Sequence, residues 1–444
     1  MIGRDMFPLA LMRLGVTRRQ ESGRFSGTPP LRKGAGRPMI TPMKKTDIII
    51  LGGGLVGLTL AIALETHGFG VKVVDPLDPA RALEEGFDGR ASAIASASWR
   101  MLDAIGVAPL LEGKGCAIRR IEVRDGLQKT PMDFTVASDE EPLGTMVENR
   151  ELRTALWARA QACPHLEVIA PAKAAQVDRG EHGVRVTLES GRILSAALLI
   201  AAEGRQSPTR EAAGIRTAKW QYDHVAIISA FDHAVPHNNV AHEIFYPAGP
   251  FALLPLQPGT RSALVWTVAK KDGPGVLALS DRAFLAEVTK RTGGLLGELS
   301  PAAPRAAWPL GFHHAAHITA HRLALIGDAA HGIHPIAGQG LNLGLRDVAA
   351  LTEVLIDGAR LGLDLGDAQL MTRYERWRSL DSLMLMVSTD SLTRLFGLPG
   401  APSRMIRRTG LAAVQRIPSL KRRFMAEARG TTGALPKLLQ GMAA

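Results

Sequence analysis

The densest group of candidate functional residues lies in the Pro- and Gly-rich run after the apolar strand Leu323–Ile326. The strand leads into Gly327-Asp328, and a carboxylate at the end of a strand suits a hydrogen bond from a sugar hydroxyl. Gly338 and Gly340 remove side chains where a ligand must approach the backbone closely. The helix predicted over Leu341–Leu355 would turn free N–H groups towards negative charge. A ligand that joins a sugar chain to a ring that becomes anionic on reduction would fit these residues. A flavin is such a ligand.

A second group of glycines, far upstream, predicts a site for a dinucleotide. The apolar strand Asp47–Leu51 is followed at once by Gly52, Gly54 and Gly57, then by a helix-like run and a second strand ending in Asp75. In this context the first glycine allows a tight turn, the second the approach of a pyrophosphate, and the third close packing of helix on strand. Asp75 would accept hydrogen bonds from the adenosine ribose. The two groups together predict FAD.

Composition and charge restrict the class of protein. At 444 residues the chain should hold two structural units, and 46% hydrophobic with 21% charged residues is ordinary for a folded protein. Two cysteines, Cys116 and Cys163, predict no disulfide framework and fit a reducing compartment. No apolar run is long enough to span a bilayer. The net charge of +11 favours either an acidic partner, such as anionic lipid, or a basic solvated surface, and no nucleic-acid motif is present.

The first 45 residues are not expected to fold. They are rich in arginine and contain only Asp5 and Glu21 as acids. Such a start resembles a transit peptide. The alternative, which we favour, is a misassigned start codon, with translation beginning at Met39 or Met43, because the first strand follows directly.

The predicted fold class is α/β, with a Rossmann-like FAD-binding domain, a β-sheet substrate domain and a C-terminal helical segment. Ala91–Leu111 is predicted to be helical. Four short alternating segments that begin at Leu166 predict an antiparallel insert. The chain should cross between the two domains several times. The FAD-binding domain is predicted to consist of residues 46–115, 148–219 and 310–365, and the substrate domain of residues 116–147 and 220–309. The extension occupies residues 1–45 and the helical region residues 366–444.

From residue 47 onward the chain resembles the group A flavoprotein aromatic hydroxylases, and among them the hydroxylases of ubiquinone biosynthesis. Besides the glycine fingerprint, the resemblance rests on four blocks: Asp88–Ile94, Asn149–Arg153, Ala202–Ser207, and Gly327-Asp328 with His334–Asn342. It implies a fold like that of p-hydroxybenzoate hydroxylase, with NAD(P)H as electron donor. It also implies reaction with dioxygen through a flavin C4a-hydroperoxide, which hydroxylates the ring of a polyprenylphenol.

The resemblance assigns roles to individual residues. Pro335 and Gly338 would line the flavin C4a edge as catalytic positions, while Gly340, Leu341 and Asn342 would place helix N–H groups at the pyrimidine end.

Three charged residues also receive roles from the resemblance. Arg90 would contact the cofactor or gate it, as a third catalytic position, although a surface arginine is an equal alternative. Arg150 would lie near the pyrophosphate. Glu203 stands where the family usually has Asp, and would still serve the cofactor. No metal site is expected, and His331 is interpreted as structural.

The substrate should bind between the two predicted sheets, facing the flavin ring. Candidates for its pocket, each also readable as ordinary core, are Phe245, Tyr246, Phe251, Leu253 and Pro255. An insoluble polyprenylated substrate implies a cytoplasmic enzyme held peripherally at the inner membrane or in a ubiquinone-biosynthesis complex. The basic C-terminal helices, with Lys421–Arg423, could lie on anionic lipid or pack on a partner, and a homo-oligomer is possible.

Two other functions stay open at this point. One is hydroxylation of a soluble phenolic metabolite. The other is a non-catalytic flavoprotein that serves as a scaffold in a quinone-biosynthesis complex, which would bind FAD without turning over NAD(P)H.

Overall fold

The computed structural model describes residues 46–79, 86–128, 130–332, 339–379 and 417–444. The extension at 1–45, Pro335, Gly338 and residues 380–416 of the predicted C-terminal helical region lie outside these ranges. Among the helices within them, none combines the length and apolar character that crossing a bilayer requires.

A mostly parallel sheet forms the centre of the predicted FAD-binding domain. Its six strands, in spatial order, are β18 (Thr319–Ala320), β19 (Leu323–Leu325), β12 (Leu198–Ala201), β1 (Ile48–Leu51), β2 (Val71–Val74) and β8 (Leu166–Ile169). All neighbours are parallel except β18 and β19. The central strands are continuous apolar runs because both faces are buried, against helices and against the small antiparallel sheet at 174–196. The insert predicted at 166–196 was wrong for its first segment, since β8 joins this sheet beside β2.

Helices outside the second domain occur from the first strand of this sheet to the C-terminal region. They are α1 (Leu55–Thr66), α2 (Ser96–Ala104), α3 (Asn149–Gln161), α4 (Pro208–Ala212), α7 (Gln339–Arg360), α8 (368–379) and α9 (Pro418–Ala428). The helix predicted to begin near Leu341 is therefore α7. A second small sheet, β9 (Ala174–Gly180), β10 (Gly183–Leu188) and β11 (Ile193–Ala196), is antiparallel as expected.

An eight-stranded sheet forms the centre of the predicted substrate domain. Its strands, in spatial order, are β20 (His331–Gly332), β17 (Leu299–Ala315), β13 (Thr217–His233), β16 (Arg261–Ala269), β15 (Gly249–Leu256), β14 (Val240–Tyr246), β5 (Arg120–Asp125) and β6 (Met132–Thr135). The long strands β13 and β17 extend beyond the 220–309 segment predicted for this domain at both ends. Helices α5 (Gly273–Leu277) and α6 (Asp281–Thr292) cover one face, which we call the outer face.

A small three-stranded sheet lies against the opposite, inner face of the large sheet. It consists of β3 (Ala91–Ala95), β7 (Gly144–Glu148) and β4 (Cys116–Ile118). The helix predicted from Ala91 was wrong in its first turn, because these residues pair with β7. Between the two sheets lies the inner cluster, whose buried members include Cys116, Ile118, Met146, Ala241, Leu256 and Ala263.

Close backbone approach around α1 depends on two glycines. Gly52 has φ +105°, and a Cβ there would overlap the Ala202 carbonyl. A Cβ on Gly57 would overlap the Gly52 carbonyl oxygen. The helix can sit this close to the strand only without side chains at both positions.

We expect Gly57→Ala and Gly54→Ala to fail in different ways. Gly57→Ala should lower the free energy of unfolding by about 1–3 kcal/mol, because the added methyl must push α1 away from β1. At Gly54 no atom lies within 4 Å of the added Cβ, so that variant should keep its stability and lose FAD affinity. Urea unfolding of the apoprotein and FAD titration would separate the two effects. Equal unfolding midpoints for Gly57→Ala and wild type would contradict this account.

Candidate active site

The glycine turn and the acid that ends the second strand come together as expected. Asp75 Oδ2 accepts a hydrogen bond from the Gly53 N–H at 2.5 Å, and Oδ1 accepts one from Leu77 N–H at 2.7 Å. The open space beside Gly54 lies in the same loop. The carboxylate therefore stands next to the turn where a ribose and pyrophosphate are predicted to bind.

Asp328 occupies a short turn directly after β19, in a backbone that is held from two sides. The buried His313 ring donates from Nε2 to the Asp328 carbonyl at 2.7 Å, and the buried Arg210 guanidinium donates to the Ala329 carbonyl at 2.9 Å. The Asp328 side chain itself is 47% exposed and contacts only Arg205 Nε, at 3.3 Å, in the described part of the chain. A fixed backbone with an accessible carboxylate suits a ligand hydroxyl.

A fully buried carboxylate, Asp347 in α7, ties this turn to two other elements. Its Oδ2 accepts from the Gly327 N–H at 2.9 Å and lies 2.7 Å from His331 Nε2, while Oδ1 accepts from Arg378 Nε at 2.7 Å. Burial by itself would raise the pKa of Asp347, but the charges of His331 and Arg378 hold it below its ordinary value. The structural role expected of His331 is confirmed by this contact. Sequence patterns did not single out Asp347 or Arg378.

The first turn of α7 is attached to β3 by Asn342. Its Nδ2 donates to the Ala93 carbonyl at 2.7 Å, and its Oδ1 accepts from the Ala95 N–H at 2.9 Å. The side chain is thus committed to the backbone of β3, so any contribution of Asn342 to a cofactor must come from its N–H. Leu341 packs against the core, and no atom lies within 4 Å of a Cβ built on Gly340.

The two arginines assigned by resemblance each contact an acid that is close in sequence. Arg90 donates from Nε to Asp88 at 2.6 Å, and its guanidinium stands over the Trp308 ring at 5.7 Å from the centroid. Arg150 is 42% exposed and lies 3.3 Å from Glu151. Both guanidinium groups retain exposed surface.

Glu203 uses its extra methylene to reach the next helix. Its Oε2 accepts from Ser207 Oγ at 2.6 Å and from the Thr209 N–H at 3.3 Å. Negative charge at the first turn of α4 is favourable. The carboxylate therefore holds α4 in place, and its contact with a cofactor stays a prediction.

Most of the candidate pocket residues lie on the outer face of the large sheet, where they form ordinary core. Phe251 and Leu253 are buried under α6, and Tyr246 on the same face donates to the Arg291 carbonyl at 2.6 Å. Alternation along β15 places Pro255 with them. Only Phe245 points to the inner face. The physical reason is register: a strand sequence with apolar residues at every position does not reveal which set faces the site.

The inner face carries a row of partly exposed apolar residues and one acid. Cross-strand pairing aligns Val123, Glu243, Ala252, Val265 and Ile228 across five strands. Burial raises the pKa of the Glu243 carboxyl to about 7. Glu243 is not among the residues predicted from sequence, where its one signal is that it is a lone acid among the apolar residues between Ala241 and Phe245.

Helix α9 closes one end of the inner cluster. Met425 and Ala428 pack against it, and Phe424 lies 6.2 Å from Phe134 between ring centroids. Lys421 Nζ is 3.6 Å from Asp133, so this lysine of the basic cluster is paired. The other two cations, Arg422 and Arg423, are exposed.

Removal of the buried carboxylate in Asp347→Ala should lower the free energy of unfolding by about 3–5 kcal/mol, because Arg378 and the Gly327 N–H would be left buried without it. Since the pKa of Asp347 is depressed, its contribution is present above about 3.8, the ordinary value, and is lost as the pH falls further. Urea unfolding at neutral pH measures the loss. The control is Asp357→Ala, which removes a more exposed acid of α7 paired with Arg373 and should cost under about 1 kcal/mol. Equal losses in the two variants would contradict the role given to Asp347.

Comparison with solved structures supports the fold. The chain is similar to p-nitrophenol 4-monooxygenase PnpA from Pseudomonas putida, with a TM-score of 0.72 and 17% identity over 88% of this chain and 99% of that one. It is also similar to P. aeruginosa PqsL in complex with 2-aminobenzoylacetate, with a TM-score of 0.69 and 21% identity over 80% and 97%. The predicted fold class, an FAD-binding domain joined to a β-sheet domain, is confirmed.

Comparison of sequences shows the family. Residues 45–380 match the FAD binding domain family. The chain is 44% identical to ubiquinone hydroxylase UbiL of Rhodospirillum rubrum, over 95% of this chain and 98% of that protein. It is 34% identical to 3-demethoxyubiquinol 3-hydroxylase of Escherichia coli, over 87% and 98%. With its glycine turn, Asp328 and inner face arranged as above, the chain belongs to the ubiquinone-biosynthesis hydroxylases, a family of FAD-dependent aromatic monooxygenases.

Proposed function

We propose that this enzyme uses FAD, NAD(P)H and dioxygen to hydroxylate the aromatic ring of a polyprenylated phenol. The observation that carries the proposal is the apolar inner face, which lies on the side of the molecule where β3 joins the first turn of α7. The printed names of the relatives support a substrate of the ubiquinone pathway. No nucleophile or metal is needed for this reaction, because the cofactor supplies the redox chemistry.

The residues present fit FAD. The loop at Gly52–Gly57 leaves open space at Gly54, as close approach of a pyrophosphate requires, and Asp75 stands beside it for the adenosine ribose. Asp328 offers an exposed carboxylate to the ribityl chain. The chemistry that bound FAD supplies is acceptance of a hydride and activation of dioxygen.

Other residues would hold the two ends of the cofactor. N–H groups from Gly340 to Asn342, at the start of α7, would favour negative charge on the reduced ring. Arg150 would neutralise the pyrophosphate, and Arg90, above Trp308, would border the ring. The apolar row on the inner face would bind the substrate ring and exclude water, which protects the reactive oxygen from loss as peroxide.

The direct test is oxygen transfer by the purified, FAD-loaded enzyme. With NAD(P)H and isotope-labelled dioxygen, a polyprenylated phenol should gain one labelled oxygen atom on its ring, measured by mass spectrometry. A soluble phenol with the same ring pattern tests the alternative substrate class. NAD(P)H oxidation that yields only peroxide with every phenol, together with failure to restore quinone synthesis in a deletion strain, would remove the proposal.

A polyprenylated substrate has to be reached at a membrane, and we propose that α9 contributes to this contact. Arg422 and Arg423 are exposed, and the nearby Ile417 and Phe424 are 46% and 40% exposed. Basic side chains beside exposed apolar ones are typical of helices that lie on anionic lipid. The helix also packs on the inner cluster, so a lipid contact here would be close to the site.

Reversal of two charges tests the lipid contact. Arg422→Glu with Arg423→Glu should abolish salt-sensitive binding to anionic vesicles, since each cation near the surface contributes about 1 kcal/mol. Lys421 is left unchanged because it pairs with Asp133. The control, Lys270→Glu with Lys271→Glu, reverses two exposed charges elsewhere and should bind normally. Vesicle binding that is insensitive to salt and to the α9 substitutions would instead indicate a partner protein.

A further inference from the structure

Glu243 occupies the middle of the partly exposed row on the inner face. It pairs with Val123 of β5 on one side and with Ala252 of β15 on the other. Ala252 is aligned in turn with Val265 and then Ile228. Every neighbour along this row is apolar, so Glu243 is the only polar side chain in it.

The position of the row along the sheet places it at the boundary of a site. One step towards the inner cluster, Ala241 and Ala263 are buried at 5% and 3% exposure. In the row itself Val123, Glu243, Val265 and Ile228 all retain exposed surface. The packing of the inner cluster therefore ends at this row, where Glu243 is the one carboxyl among apolar side chains.

The carboxyl of Glu243 has no hydrogen-bond donor and no cation in contact within the described residues. Acids placed among apolar side chains without a partner are costly to ionise, and proteins retain them mainly at functional sites. Burial alone accounts for the raised pKa of this group. A group with these properties is suited to exchange a proton near neutral pH.

The surroundings of the same face indicate which groups could influence this carboxyl. On the side of the row away from the inner cluster, and two residues further along the strands, the face carries Phe245 and Trp308. Arg90 stands over the Trp308 ring. Asp125 lies beside Phe245 on β5. Arg90 is paired with Asp88, and neither Arg90 nor Asp125 contributes to the pKa shift of Glu243.

We propose that Glu243 is a catalytic residue that accepts the proton of the substrate's phenolic hydroxyl during oxygen transfer. This inference rests on the proposed function. As the ring gives electron density to the incoming oxygen atom, the phenolic O–H bond breaks and its proton passes to the Glu243 carboxylate. The new C–O bond leaves a ring carbon with both hydrogen and oxygen. Loss of that hydrogen as a proton to solvent restores the aromatic ring, and Glu243 returns the phenolic proton to the phenolate oxygen.

The overall reaction is balanced by the co-substrates already named. One oxygen atom of dioxygen enters the ring, and the other leaves as water. NAD(P)H provides two electrons, and one further proton comes from solvent. Glu243 is unchanged after one turnover, because it gains and then loses the same proton.

Glu243→Gln tests the proposal while keeping the size of the side chain. Ring hydroxylation should fall about 100-fold or more, within the range usual for loss of a general base. FAD content and reduction of the bound flavin by NAD(P)H should stay near wild type, with NAD(P)H oxidation diverted to peroxide. The control is Glu298→Gln, at an exposed acid in the same domain, which should behave as wild type.

The pH profile and a second substrate separate proton transfer from a structural role. Wild-type hydroxylation should rise with pH through about 7, and Glu243→Gln should lose this rise. Glu243→Asp should keep it at a reduced rate. On a methyl ether of the phenol, which has no proton to give, wild type and Glu243→Gln should be equally slow.

Several results would overturn the assignment. Hydroxylation by Glu243→Gln within threefold of wild type at every pH would remove Glu243 from the reaction. An equal loss on the phenol and on its methyl ether would show that Glu243 only shapes the pocket. If the Gln variant did not fold, loss of the pH-dependent rise in Glu243→Asp would overturn the assignment of Glu243. Failure of wild type to hydroxylate any phenol would instead overturn the proposed function.

Discussion

The buried carboxylate of Asp347 holds together the elements that make up the cofactor site. It binds the Gly327 N–H at the end of β19, His331 at the start of β20 and Arg378 in α8. An ionised group with no exposure is tolerated only because opposite charges and a hydrogen-bond donor surround it. The segments around residues 327–331, 347 and 378 thereby meet at one carboxylate. The buried Arg210 guanidinium adds a second charged contact to the same turn, at the Ala329 carbonyl.

Close packing of backbone adds a second constraint at the same place. Val56 of α1 fits against both Gly327 and Gly344, where a Cβ would lie 3.3 Å and 2.8 Å from its methyl groups. Helices α1 and α7 can therefore approach the ends of β1 and β19 together. The two predicted halves of the cofactor site, far apart along the chain, are brought to one edge of the parallel sheet. Asn342 then extends this arrangement to β3 and the inner cluster.

Local chemistry explains why part of this site was predictable from sequence. The glycine turn before α1 and the acid ending β2 have functions that depend on a few adjacent residues, so a short motif was enough. Other features depend on long-range pairing. Nothing near Glu243 in sequence indicates that its strand turns this side chain inward and Phe251 outward. The commitment of Glu203 to α4 likewise depends on a side-chain reach that no pattern expresses.

Because side chains alternate along its strands, the large sheet has one face buried under helices and another face that can carry functional residues. Its outer face is covered by α6 over residues such as Ile227, Phe251 and Leu264. Part of its inner face packs against the small three-stranded sheet, and beside that packing Val123, Glu243, Val265 and Ile228 retain exposed surface. In that setting a single acid can stay without a partner.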